Sequence, residues 1–189
     1  MTFSKQEVIN QDLQKAIAEH EGIRNSLYVD TAKNLTIGIG NNFQNIENFM
    51  ELKLVDITTG HELNTDEKTH LYNSIQTAIA NKTFNAAEFA NIQLSEKDIN
   101  SKFEEQLNSS YRELERKISD FSSLPISVQQ ALIDMQFNMG SRKFSERYWP
   151  NLFNAIRERD WQKAAQESHR IGIQESRQTW TRNKFLDAI

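Results

Sequence analysis

The sequence contains no cysteine, which excludes disulfide staples, thiol nucleophiles and Cys-ligated zinc. Two prolines and six glycines leave no room for a flexible linker, and no glycine-rich phosphate loop occurs. No apolar run approaches the ~18 residues of a membrane-spanning helix, so stable membrane insertion is not expected. The opening stretch Met1-Thr2-Phe3-Ser4-Lys5-Gln6-Glu7 lacks the basic and apolar regions of a signal peptide. Action outside the cytoplasm would then need another means of delivery. Positive charge is also scarce. The net charge is −4, whereas nucleic-acid binders usually carry a clear positive excess, so nucleic acid is not the expected partner. The four histidines, His20, His61, His70 and His169, show no metal-ligand spacing, and no metal or cofactor is implied.

What remains is the composition of a globular protein, 38% hydrophobic and 25% charged. Its 189 residues suffice for one substantial domain or two small lobes. The pattern is mainly helical. Val8, Ile9, Leu13, Ala16 and Ile17 predict a helix over 5–20, and Gly22 supplies a stop after Glu21. Thr65 is a plausible N-cap for a helix marked by Leu71, Ile75, Ala78 and Ile79, with Phe84, Phe89 and Ile92 packing a short segment against it. Ser95 predicts the start of a long helix, in which Ile99, Phe103, Leu107, Leu114 and Ile118 are spaced by fours and sevens. Pro125 precedes another helix, with Val128, Leu132 and Met135 on one stripe and Gly140 as its stop. Pro150 suits a first helical turn, Asp160 an N-cap, and a last helix is expected from about Arg177.

One β-like segment interrupts this pattern. Leu27-Tyr28-Val29-Asp30 and Leu35-Thr36-Ile37-Gly38-Ile39-Gly40 alternate on either side of a polar turn, Thr31-Ala32-Lys33-Asn34, and predict a hairpin. The class is therefore α+β: a small hairpin-bearing lobe in front and a helical lobe behind. The expected bounds are a front lobe over 20–94, a linking helix over 95–118, and a helical lobe over 119–189 that packs with the N-terminal helix.

Cleaving a glycosidic bond needs an acid at the leaving oxygen and a base or nucleophile on the other side of the sugar. Glu21 ends a helix and Asp30 lies on the first hairpin strand, so two carboxylates can face one gap. Thr36 lies on the returning strand, roughly opposite Asp30 if the turn is centred on residues 32–34, and its hydroxyl could orient a water. Singly, each has a plainer reading: a solvated Glu after a helix, a turn-forming Asp, a Thr favoured in strands. Phe137 and Asn138 offer an aromatic face and an amide, common sugar-binding equipment, though Phe137 equally suits a core and Asn138 a helix end. Arg177 and Arg182, around Trp180, either meet substrate carboxylates or solvate the last helix.

Order and spacing bind these residues together. Glu21-Gly22-x-Arg24-x3-Tyr28-x-Asp30-x5-Thr36-Ile37-Gly38-Ile39-Gly40 resembles the signature of the phage-type lysozymes, glycoside hydrolase family 24. Ala131-Leu132-Ile133-Asp134-Met135-Gln136-Phe137-Asn138-Met139-Gly140 resembles that family's cleft-lining helix, and the stretch from Ile156 to Ala165 resembles a third family helix. The resemblance implies a lysozyme-like fold, a muramidase acting on peptidoglycan with inversion, and Glu21, Asp30 and Thr36 as the catalytic set. It also implies a monomer, and either a phage endolysin or a delivered antibacterial toxin with a cognate inhibitor or immunity protein. A non-catalytic wall-binding module and a lytic transglycosylase are the rival readings. Two departures stand out. Asn41 follows Gly40 where the family has a structural His, and the segment between Asn41 and the long helix is longer than in compact members. The extra residues, about 43–90, are expected as an insertion on the front lobe near the cleft mouth. If that insertion is peripheral, the protein folds without it.

Overall fold

The computed structural model describes residues 2–22, 24–29, 35–38, 41–43 and 46–189. In chain order the elements are α1 (Lys5–Val8), α2 (Gln11–Glu21), β1 (Arg24–Val29), β2 (Leu35–Gly38), β3 (Asn41–Phe43), α3 (Ile46–Met50), β4 (Leu54–Asp56), β5 (His61–Glu62), α4 (Thr65–Ala80), β6 (Ile92–Leu94), α5 (Glu96–Lys117), α6 (Ile126–Lys143), α7 (Pro150–Glu158), α8 (Trp161–Glu167) and α9 (Glu175–Leu186). The class is α+β, as the sequence patterns predict. Among the described residues, no helix is long and apolar enough to cross a membrane. The chain forms two compact units, Met1–His20 with Glu104–Ile189, and Glu21–Phe103.

Unit Glu21–Phe103 is built on one antiparallel sheet of order β3-β2-β1-β6-β4-β5. The expected hairpin is its β2-β1 pair, with Val29 opposite Leu35 and Tyr28 opposite Thr36. Thr36 therefore pairs two residues earlier than a turn centred on 32–34 would give. The returning strand β2 ends at Gly38, and a third strand, β3, pairs with it from Asn41. The segment 43–90 is not peripheral. It supplies β4 and β5 to the sheet, Leu54 pairing with Leu94 and Val55 with Gln93. Its Phe49, Leu52, Leu54, Leu63 and Ile75 share one buried cluster with the hairpin residues Leu27 and Leu35. Helix α4 starts one residue earlier than Thr65 suggests, because Asn64 is its N-cap. Asn64 Oδ1 accepts from Glu67 N at 3.0 Å, and Glu67 returns the bond by accepting from Asn64 N at 2.8 Å.

The helical unit has α6 at its centre. Every residue from Val128 to Gln136 is buried, so this part of the helix lacks a solvent face, whereas residues 140–143 are exposed. Leu107, Tyr111, Leu114 and Ile118 follow one buried stripe of the long helix segment. The single helix expected over 5–20 is two. Ser4 and Glu7 close a capping box on α1, and Asn10 Oδ1 accepts from Leu13 N at 3.0 Å to start α2 afresh. Ser95 caps α5 as expected, accepting from Asp98 N at 3.1 Å. Asp160 likewise caps α8, accepting from Lys163 N at 2.9 Å, and Pro150 opens α7. Helix α9 begins at Glu175, two residues before the expected start.

Candidate active site

Helix α2 ends on Glu21, and Gly22, with φ of 59°, turns the chain out of the helix. Glu21 is half-buried. A carboxylate in the last turn faces the negative pole of the helix, which works against helix stability. Immediately after it, β1 runs into the hairpin, and the β2 backbone places Thr36 opposite Tyr28. Asp30 lies outside the described residues.

The other expected site residues lie in the helical unit. Phe137 and Asn138 are both half-buried near the end of the apolar part of α6. Asn138 Oδ1 accepts from Arg170 Nη1 at 3.2 Å. Arg177 is placed differently from a side chain reaching for substrate carboxylates. It is 4% exposed, and its Nε donates to Asp134 Oδ1 at 2.9 Å while Nη2 stands 2.8 Å from the same oxygen. Helix α9 buries Arg177, Thr181 and Phe185, spaced by fours, so its inward stripe carries two polar groups.

Asp134 organises a cluster that the sequence patterns did not single out. It is fully buried, and Arg170 Nη2 donates to its Oδ2 at 2.8 Å. Arg170 Nη2 also donates to Thr181 Oγ1 at 2.6 Å, and Thr181 Oγ1 lies 3.0 Å from Asp134 Oδ2. His20 Nδ1 is 3.5 Å from Asp134 Oδ1, and its ring meets Trp180 edge-on at 5.5 Å. Burial pushes the Asp134 carboxyl up, but the His20 contact and the charges of Arg177 and Arg170 outweigh it and hold the group well below the usual carboxylate range. By geometry the His20 contact is the weakest of these, being at the outer limit of a hydrogen bond. The signal available in the sequence was an acid inside an otherwise apolar run, Ala131-Leu132-Ile133-Asp134-Met135. A charge there is seldom tolerated unless it is paired.

The described residues offer no group of three or more His, Asp or Glu able to hold a metal ion. What the described residues offer is an acid at the end of α2, Thr36 on the β2 backbone and, in the helical unit, a buried ion cluster around Asp134. No relative among curated proteins matches the chain. A family model described as phage lysozyme matches residues 18–179, which span Glu21, Asp30 and Thr36 as well as Phe137, Asn138 and Arg177. The chain thus belongs to the phage lysozyme family, whose lysozyme-type function is the hydrolysis of peptidoglycan.

Proposed function

We propose that the protein is an N-acetylmuramidase that cleaves the β-1,4 bond between N-acetylmuramic acid and N-acetylglucosamine with inversion. Glu21 is the general acid that protonates the leaving oxygen. Asp30, helped by the Thr36 hydroxyl, holds and activates the attacking water. No cofactor takes part. The observation that supports this most is the placing of the Glu-Asp-Thr motif within the matched stretch, with Glu21 closing α2 directly before the hairpin. A hydroxyl beside a carboxylate suits a held water, whereas a covalent intermediate would not need it. Acting on the wall as a phage endolysin or a delivered toxin, the protein would in the second case meet a cognate inhibitor.

Glu21→Gln should fold normally and lose about two to four orders of magnitude in the rate of sacculus digestion. Near-normal digestion by the folded variant would remove Glu21 from the acid role. Wild-type protein that binds sacculi and never cuts them would instead favour a wall-binding module.

A further inference from the structure

The helical unit carries a hollow with its own chemistry. At Gly140 the backbone leaves helical geometry, with φ of 75° and ψ of 160°, and the chain makes one further turn before Phe144. That turn is tied down from beneath. Lys117 Nζ donates to Gln136 Oε1 at 2.8 Å, to Ser141 O at 2.8 Å and to Phe144 O at 2.6 Å. Trp149 Nε1 donates to Lys143 O at 3.1 Å, and the fully buried Phe144 ring packs between Trp149 and Phe153. The fold thus fixes the backbone on which the outward side chains stand.

Those side chains line a cavity of about 560 Å³, formed by Met139, Arg142, Lys143, Tyr148 and Trp149. This lies within the range of small-molecule sites, about 300–1,000 Å³. Tyr148 is 58% exposed, and the Arg147 guanidinium stands 5.6 Å from its ring centroid. Arg142, Lys143 and Arg147 make no ion pair with a described residue. The single carboxylate of the stretch 139–149, Glu146, is held by Arg157 at 2.8 Å. In a chain of net charge −4, three uncompensated cations beside two aromatic rings form a local exception. Aromatic faces stack on the C–H faces of sugar rings at low cost in side-chain entropy. Guanidinium and ammonium groups take carboxylates, guanidinium in the bidentate manner.

We propose that this hollow is an accessory, non-catalytic binding site for an acidic glycan, the carboxylate-bearing peptidoglycan strand. A sugar ring would lie against Tyr148, with a carboxylate meeting Arg142, Lys143 or Arg147. The site deepens the hydrolase reading and rests on it for the identity of the glycan. It holds the protein on an insoluble polymer between cuts, by adding a second contact to the one made during catalysis.

The test is retention of Glu21→Gln protein on purified sacculi freed of accessory polymers, which separates binding from cleavage. Adding Arg142→Ala, Arg147→Ala and Tyr148→Ala should weaken retention about tenfold. Sacculi whose carboxyl groups have been amidated should lose retention similarly, and Arg142→Lys, Arg147→Lys and Tyr148→Phe together should restore most of it. Circular dichroism of each variant checks the fold. Unchanged retention after the alanine substitutions overturns the proposal. So does equal retention on vesicles of phosphatidylglycerol that the same substitutions abolish, which would make the hollow a membrane-surface site. Failure of wild-type protein to cut sacculi would instead sink the hydrolase reading, whatever the retention.

Discussion

Asp134 is the residue whose surroundings carry the most consequence. One buried carboxylate faces two guanidinium groups, from Arg170 and Arg177, and follows the apolar run Ala131-Leu132-Ile133. Removing one partner of a buried ion pair leaves the other without compensation and costs about 3–5 kcal/mol. Asp134→Leu should show a loss of that order by urea denaturation, and a loss below about 1 kcal/mol would mean the guanidiniums are satisfied elsewhere. The pH dependence has a definite sign. The carboxyl is held below its unfolded value, so its contribution is complete above the ordinary Asp pKa of about 4 and falls as the pH drops below it. Wild-type stability should therefore decline on acidification through that window. Asp134→Asn, being uncharged throughout, should decline less steeply over the same range.

Among the elements, those marked by caps and apolar spacing were legible: α5 from Ser95, α8 from Asp160, α7 from Pro150 and the β1–β2 hairpin from its alternation. The break between α1 and α2 was written in Ser4, Glu7 and Asn10, but the apolar positions on either side keep one helical phase and hide it. The short strands β4, β5 and β6 were not legible. They are two or three residues long, too short to show alternation, and they exist through pairing with distant partners such as Ser26 with Gln93. The segment 43–90 read as an insertion because the stretch before the long helix is longer than in compact family members, yet Ile75 is fully buried in one cluster with Leu27 and Leu35. Ile75→Ala should cost about 2–5 kcal/mol, and deletion of 43–90 should leave unit Glu21–Phe103 unfolded by heteronuclear NMR. A dispersed spectrum from the deletion protein would restore the peripheral reading. Gly140 was expected to stop α6, and it does break the helical geometry, though one turn follows. A Cβ there would meet no atom within 4 Å, so Gly140→Ala should cost only the backbone strain, about 1–3 kcal/mol.

At the scale of the whole molecule, the expected site residues fall in both units. Glu21 and Thr36 belong to the sheet-bearing unit, and Phe137, Asn138 and Arg177 to the helical one. The motif of Glu21, Asp30 and Thr36 was legible as a family signature from its order and spacing, and it falls inside the matched stretch 18–179. The interior role of Arg177 was not, because a cation near a C-terminal helix reads alike whether it meets solvent, substrate or a buried Asp. The central claim is that water, held by Asp30 and Thr36, attacks opposite the leaving oxygen protonated by Glu21. Inverting carboxylates stand about 6.5–9.5 Å apart to admit that water, against about 5–5.5 Å when one of them is the nucleophile. The most direct test is proton NMR of reducing-end N-acetylmuramic acid in freshly cut peptidoglycan, recorded before the anomers equilibrate. The account predicts the α-anomer first. Initial β-anomer would contradict it by showing retention, and a 1,6-anhydro product would contradict it by showing that no water attacked.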